Sequence, residues 1–226
     1  MPTLLITGAN RGIGFELTKR YLADGWDVIA CCRDPKAATA LAALKGNITL
    51  EALEVTDDAA IDTLAAKYRD RPIDLLLNNA GIYGNRDGAK TISAFDSFRQ
   101  VLAVNTVAPM KMALAFLPSL QKAKAAKIAT ISSRMGSISE GPGGSYVYRT
   151  SKAAVNAAMH NLAMDIKGDG ITVIVLHPGW VQTDMGGPSA AIDVATSGAG
   201  LKKVIDGVTI KDTGGFFNYD GGTIPW

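Results

Sequence analysis

The segment Thr7-Gly8-Ala9-Asn10-Arg11-Gly12-Ile13-Gly14 constrains this chain more than any other, because it follows the apolar run Leu4-Leu5-Ile6 and opens an amphipathic stretch ending near Ala23. The pattern predicts a strand, a glycine turn and a helix. Gly8 allows the strand to turn sharply, Gly12 leaves bare backbone where a phosphate can approach, and Gly14 lets the new helix pack close to the sheet. The helix N-terminus then offers free N–H groups and a partial positive charge to an anion, most simply a pyrophosphate.

The rest of the chain alternates in the same way. Strands are expected at Asp27–Cys32, Ile48–Leu53, Ile73–Leu77, Lys127–Ser132, Ile171–Leu176 and Gly215–Tyr219. Helices are expected from Pro35 to about Leu44, Asp57 to Tyr68, Phe95 to Leu120 with an interruption or bend near Pro109, Tyr146 or Val147 to Lys167, and Ala199 to Val208. This order implies an α/β fold, a single doubly wound parallel sheet of about seven strands with helices on both faces and right-handed crossovers. A length of 226 residues with 47% hydrophobic content suits one domain over 1–226, with a substrate loop and helix at about 183–208.

Charge and composition exclude several classes of function. The 23 basic and 21 acidic residues are well mixed, so no stripe for nucleic acid and no polybasic membrane patch is expected. No apolar run approaches the ~18 residues of a membrane span, and the first strand begins too early for a signal peptide, which points to a cytoplasmic protein. The two cysteines, Cys31 and Cys32, are neighbours in a strand and face opposite ways, so neither a disulfide nor a metal site is expected.

Ligands of doubly wound sheets bind beyond the carboxyl ends of the strands. Gly8–Gly14, Arg33, Asn78–Gly81, Ser132-Ser133 and Pro178-Gly179 all follow predicted strand ends, so they should converge on one crevice. Arg33 stands where dinucleotide folds usually carry an acid for the ribose 2′-hydroxyl; a guanidinium there grips a 2′-phosphate instead. With Arg11 reaching the same group from the other side, NADPH is favoured over NADH. Tyr148 and Lys152 lie four apart at a helix start and share a face. A lysine cation and the positive ring of an oxidised nicotinamide both favour phenolate, which makes Tyr148 a general acid toward a carbonyl oxygen. Met135, Tyr83, Tyr146, Trp180 and Met185 are candidates for an apolar pocket wall, while Phe216, Phe217 and Trp226 are expected to pack the last strand. His160 and His177 lack partners for metal or nucleophilic work, and Ser133 sits in no Gly-x-Ser-x-Gly elbow.

Thr7-Gly8-x-x-x-Gly12-x-Gly14, Asn78-Asn79-Ala80-Gly81, Asn105, Ser133, Tyr148-x-x-x-Lys152 and Pro178-Gly179-x-x-x-Thr183 together resemble the ordered motif set of the short-chain dehydrogenase/reductase family. The tail from Gly215 to Trp226 resembles its sniffer-type carbonyl reductase and C-factor-like branch. The resemblance implies a catalytic tetrad. Tyr148 is the acid/base, Ser133 holds the substrate oxygen, Lys152 binds the nicotinamide ribose and depresses the tyrosine pKa, and Asn105 holds a relay water through its backbone. It further implies NADP(H) held by Gly8, Asn10, Arg11, Gly12, Ile13, Gly14, Arg33, Asn79, Ala80, Gly81, Pro178, Gly179, Val181 and Thr183. Glu54-Val55 stands where the family usually has Asp-Val against the adenine. The implied activity is reduction of a small-molecule aldehyde or ketone, with homodimerisation through the two long helices; the other reading is a dinucleotide-binding signalling protein of the C-factor type.

Overall fold

The computed structural model describes residues 1–84 and 92–226. Along the chain run β1 (Thr3–Thr7), α1 (Gly12–Ala23), β2 (Asp27–Cys32), α2 (Thr39–Ala42), β3 (Ile48–Ala52), α3 (Asp58–Tyr68) and β4 (Leu75–Asn78). They are followed by α4 (Phe98–Leu102), α5 (Ala108–Ala115), α6 (Leu117–Leu120), β5 (Lys127–Ile131), α7 (Tyr146–Asp165), β6 (Thr172–His177), α8 (Val194–Gly207) and β7 (Gly215–Asn218). The strands form one seven-stranded sheet in the order β3-β2-β1-β4-β5-β6-β7, and every pairing is parallel. The strand order reverses between β1 and β4, so a crevice opens there at the carboxyl ends.

Alternation along the strands divides the core into two layers. Leu5, Ile29 and Leu76 pack with Ile61 and Leu64 of α3, Met112 of α5 and Val155 and Met159 of α7. Leu4, Ile6 and Val28 face the other way, onto Leu17 and Tyr21 of α1 and Leu201 and Ile205 of α8. Burial of the sheet on both faces is why β1 and β4 read as unbroken apolar runs.

Three helices depart from expectation. The alanine-rich stretch to Leu44 is helical only over Thr39–Ala42. The Asp34 carboxylate accepts from the backbone N–H groups of Lys36 at 3.0 Å and Ala37 at 3.2 Å, a local turn that displaces the helix. The expected Phe95–Leu120 helix is in pieces. A π-helical turn at Ala103–Val107 separates α4 from α5, and Phe116 separates α5 from α6. The interruption falls beside Pro109, where the sequence places it: α4, the π-helical turn and α5 run on without a gap, and the missing N–H of Pro109 removes one helical hydrogen bond there. Finally, α8 starts at Val194 instead of Ala199, with the Asp193 carboxylate accepting from Thr196 N at 2.7 Å. Its Gly198 is a packing residue: a Cβ there would come within 2.6 Å of Glu16 Cγ on α1.

Candidate active site

The glycine turn is held from below by Asn79. Its Nδ2 donates to Thr7 O at 2.9 Å and Gly8 O at 3.0 Å, while the backbone N–H groups of Asn79 and Ala80 donate to Thr7 Oγ1. Gly8 has φ +66 and Gly12 φ +53, both in the left-handed region. Gly14 has no room for a side chain, since an added Cβ would overlap Gly8 O and Asn79 Nδ2.

The loop after β6 faces this turn. A Cβ on Gly12 would meet the Thr183 side chain at 3.4 Å. Thr183 Oγ1 accepts from Gly186 N at 3.1 Å, Val181 bridges to Ile192, and Pro178 O accepts from Ser197 Oγ at 2.6 Å. Gly179, at φ +86, makes the turn out of the strand. Arg11 does not turn toward Arg33; its Nη1 pairs with Asp184 Oδ2 at 2.7 Å, across the mouth of the crevice. Arg33 is exposed, and Asp34 beside it is occupied with its own turn. The Glu54 carboxylate is folded back onto Thr56 N and Thr56 Oγ1, and Val55 is buried in the core.

The two ends of the sheet's central strands bring the remaining residues together. Ser133 follows β5 and is 7% exposed; its Oγ accepts from Met135 N at 3.1 Å and engages the Tyr148 hydroxyl. Ser132 instead donates to Asn156 Oδ1 at 2.6 Å, away from the tyrosine. Lys152, one turn along α7, lies with Nζ 5.7 Å from the Tyr148 ring centroid and donates to Ile131 O at 2.9 Å. Asn105, in the π-helical turn, is 1% exposed. Its Nδ2 donates to Ile82 O at 2.8 Å and Ser151 Oγ at 3.0 Å, and its Oδ1 accepts from Ile82 N at 2.9 Å.

Burial dominates the electrostatics here. Burial pushes the Tyr148 phenol up to about 12; the Ser133 hydrogen bond opposes this and nearby Tyr83 adds to it. Burial also pulls the Lys152 ammonium down to about 8. Burial is the largest influence on the phenol, and the Lys152 ammonium beside it donates to Ile131 O. A phenol so placed keeps its proton at neutral pH. His177, at the end of β6, is held neutral by burial, at about 4.

Tyr83, from sequence a candidate for the pocket wall, is placed against the catalytic residues themselves. Its ring stacks on Tyr148, centroids 4.5 Å apart and planes 20° from parallel. Tyr146 stacks on Phe95 at 6.4 Å, and Trp180 is 55% exposed with Nε1 donating to Gly186 O. Trp226 stacks on the buried Phe216 at 5.4 Å and its carbonyl accepts from Ser139 N, so it packs the last strand against the loop after Ser133.

The crevice suits a dinucleotide. The N-cap residue of α1, Arg11, makes no side-chain capping bond, which leaves the first N–H groups of the helix for an anion. Bare backbone at Gly12 faces the same gap.

Comparison with known proteins agrees with this geometry. The family of short chain dehydrogenases matches residues 2–192. The C-signal of Myxococcus xanthus is 40% identical over 156 residues, which cover 69% of this chain and 93% of that protein. Among solved structures, the carbonyl reductase Sniffer of D. melanogaster superposes with a TM-score of 0.91 at 38% identity, covering 100% of both chains. The NADPH-bound carbonyl reductase from chicken fatty liver gives 0.89 at 37% identity, covering 100% of this chain and 99% of that one. Motif order, sheet topology and the match over residues 2–192 place this chain in the short-chain dehydrogenase/reductase family of oxidoreductases.

Proposed function

We propose that the protein is an NADPH-dependent reductase that converts an aldehyde or ketone into an alcohol. The observation that carries this reading is the cluster of Ser133, Tyr148 and Lys152 at the strand ends beside the glycine turn. NADP(H) would lie along that turn, contacting Gly8, Asn10, Gly12, Ile13 and Gly14, with Arg33 available to its 2′-phosphate, joined by Arg11 only if it leaves Asp184, and Thr183 to its nicotinamide end. When bound it supplies the hydride for the carbonyl carbon. Ser133 holds the substrate oxygen by a hydrogen bond, and Tyr148 passes its proton to that oxygen as negative charge develops there. Lys152 keeps a positive charge near the phenol at neutral pH, which stabilises the phenolate left after transfer. Asn105 fixes the turn of α7 that carries Tyr148, through Ser151, whose Oγ donates to Tyr148 O at 2.8 Å.

The sequence similarity to Sniffer and to the NADPH-bound chicken enzyme supports carbonyls as the substrate class and NADPH as the cofactor. The test is a panel of aldehydes and ketones offered with NADPH and with NADH, followed by nicotinamide absorbance. Oxidation of NADPH in preference to NADH with at least one carbonyl is expected; no oxidation of either cofactor overturns the reading.

Similarity to the Myxococcus xanthus C-signal favours a second reading, a dinucleotide-binding signalling protein. A pure sensor has no use for a buried, serine-engaged tyrosine. Under that reading, Tyr148→Phe leaves the signalling response intact.

A further inference from the structure

Tyr83 lies outside the motif set, yet its position is fixed from both sides. Both backbone polar groups of its neighbour Ile82 are held by the one Asn105 side chain. On its other side Gly84 has φ +83 and sits so close to α4 that a Cβ would come within 2.6 Å of Val101 Cγ2. The Tyr83 hydroxyl reaches Ser145 Oγ at 2.9 Å. Ser145 precedes α7 and is the one non-glycine residue with positive φ among those described, at 46°. The Tyr83 ring is thus tied at its backbone to the π-helical turn and at its tip to the start of the catalytic helix.

Asn105 connects both stacked rings. Through Ile82 it sets the backbone that presents Tyr83, and through Ser151 it reaches the carbonyl of Tyr148. One buried amide therefore registers two tyrosines from elements far apart in sequence, whose rings lie face to face at 4.5 Å.

We propose that Tyr83 is a positioning residue for the general acid, its ring fixing the plane of the Tyr148 phenol and excluding water from the stacked face. This rests on the reductase reading above. Face-to-face contact sets the negative π-cloud of Tyr83 against Tyr148 and removes hydration, and both effects disfavour phenolate. Among the described residues, the titratable groups facing the phenol are Lys152 on its own helix and Tyr83 after β4, with the hydroxyl of Ser133 after β5. Tyr83 thereby keeps the phenol protonated to higher pH, while Lys152 works in the opposite sense once the proton has left. The bias matters most before the substrate oxygen becomes negative.

The experiment compares Tyr83→Leu, which fills the space without a π face, with Tyr83→Phe, which keeps the ring and loses the bond to Ser145. Reduction is followed against pH, and Tyr148 ionisation is read separately by ultraviolet titration, as the difference between each variant and the same variant carrying Tyr148→Phe. In Tyr83→Leu the phenol titration is expected to move down by roughly 0.5–1 unit, with KM for NADPH unchanged. In Tyr83→Phe it moves by less. A Tyr83→Leu titration coinciding with wild type overturns the proposal. Should the wild type reduce no carbonyl, the reductase reading fails, and the phenol titration still decides the placement of Tyr83.

Discussion

The glycine turn and the catalytic helix start are built by opposite means. Around Gly8, Gly12 and Gly14 the site is shaped by missing side chains: backbone lies on backbone, and one amide, Asn79, ties the turn to the next strand end. Around Tyr148 the site is shaped by bulky side chains from separate segments, Tyr83, Ser133 and Lys152, converging on one phenol. At Gly14 the first region has no room for an added atom. The second depends on who is charged.

Substitutions in each region should separate these requirements. The largest effect belongs to Tyr148→Phe, expected to bind NADPH normally and lose about 10³-fold in turnover, since only the proton donor is removed. Titration of NADPH binding beside steady-state kinetics checks it; turnover comparable to wild type breaks the contrast. Gly14→Ala should do the reverse, costing about 3 kcal/mol of stability and weakening the dinucleotide, because its Cβ must push Gly8 and Asn79 apart. Chemical denaturation measures this directly.

Lys152→Met sharpens the comparison further. The lysine is 4% exposed and held at about 8, against its ordinary 10.5, so burying its charge costs about 3 kcal/mol at pH 7. The variant should be inactive yet more stable by about 2 kcal/mol after losing the bond to Ile131 O. Because the folded lysine gives up its proton first, wild-type stability rises with pH between about 8 and 10.5, and the advantage of the variant shrinks over that window. Unfolding curves at neutral and alkaline pH test the sign. Smallest is Arg33→Ala, expected to weaken NADPH about tenfold, or ~1.4 kcal/mol, while leaving NADH unchanged.

What could be read from the sequence follows the same division. The glycine turn, the alternation of strands and helices and the Tyr148–Lys152 pair are local patterns, set by residues a few positions apart, and they appear where the spacing puts them. The contacts of Asn105 with Ile82 and Ser151 do not, because those residues are brought near only by folding. The same holds for Tyr83, a loop residue whose partner is sixty-odd positions away in sequence, and for Arg11, drawn off by Asp184. The truncated α2 was within reach of local reasoning, as Asp34 followed by Pro35 is a turn signal that the alanine content obscured.

Cys31 and Cys32, the only cysteines in the chain, are consecutive in β2, and each is buried in a different one of the two core layers. Burial raises both thiol pKa values, so neither reacts until its own layer opens. The chain thereby carries a matched pair of clocks. The rate at which a thiol reagent modifies one or the other reports separately how often the helices lift from the α7 side of the sheet and how often from the α1 side.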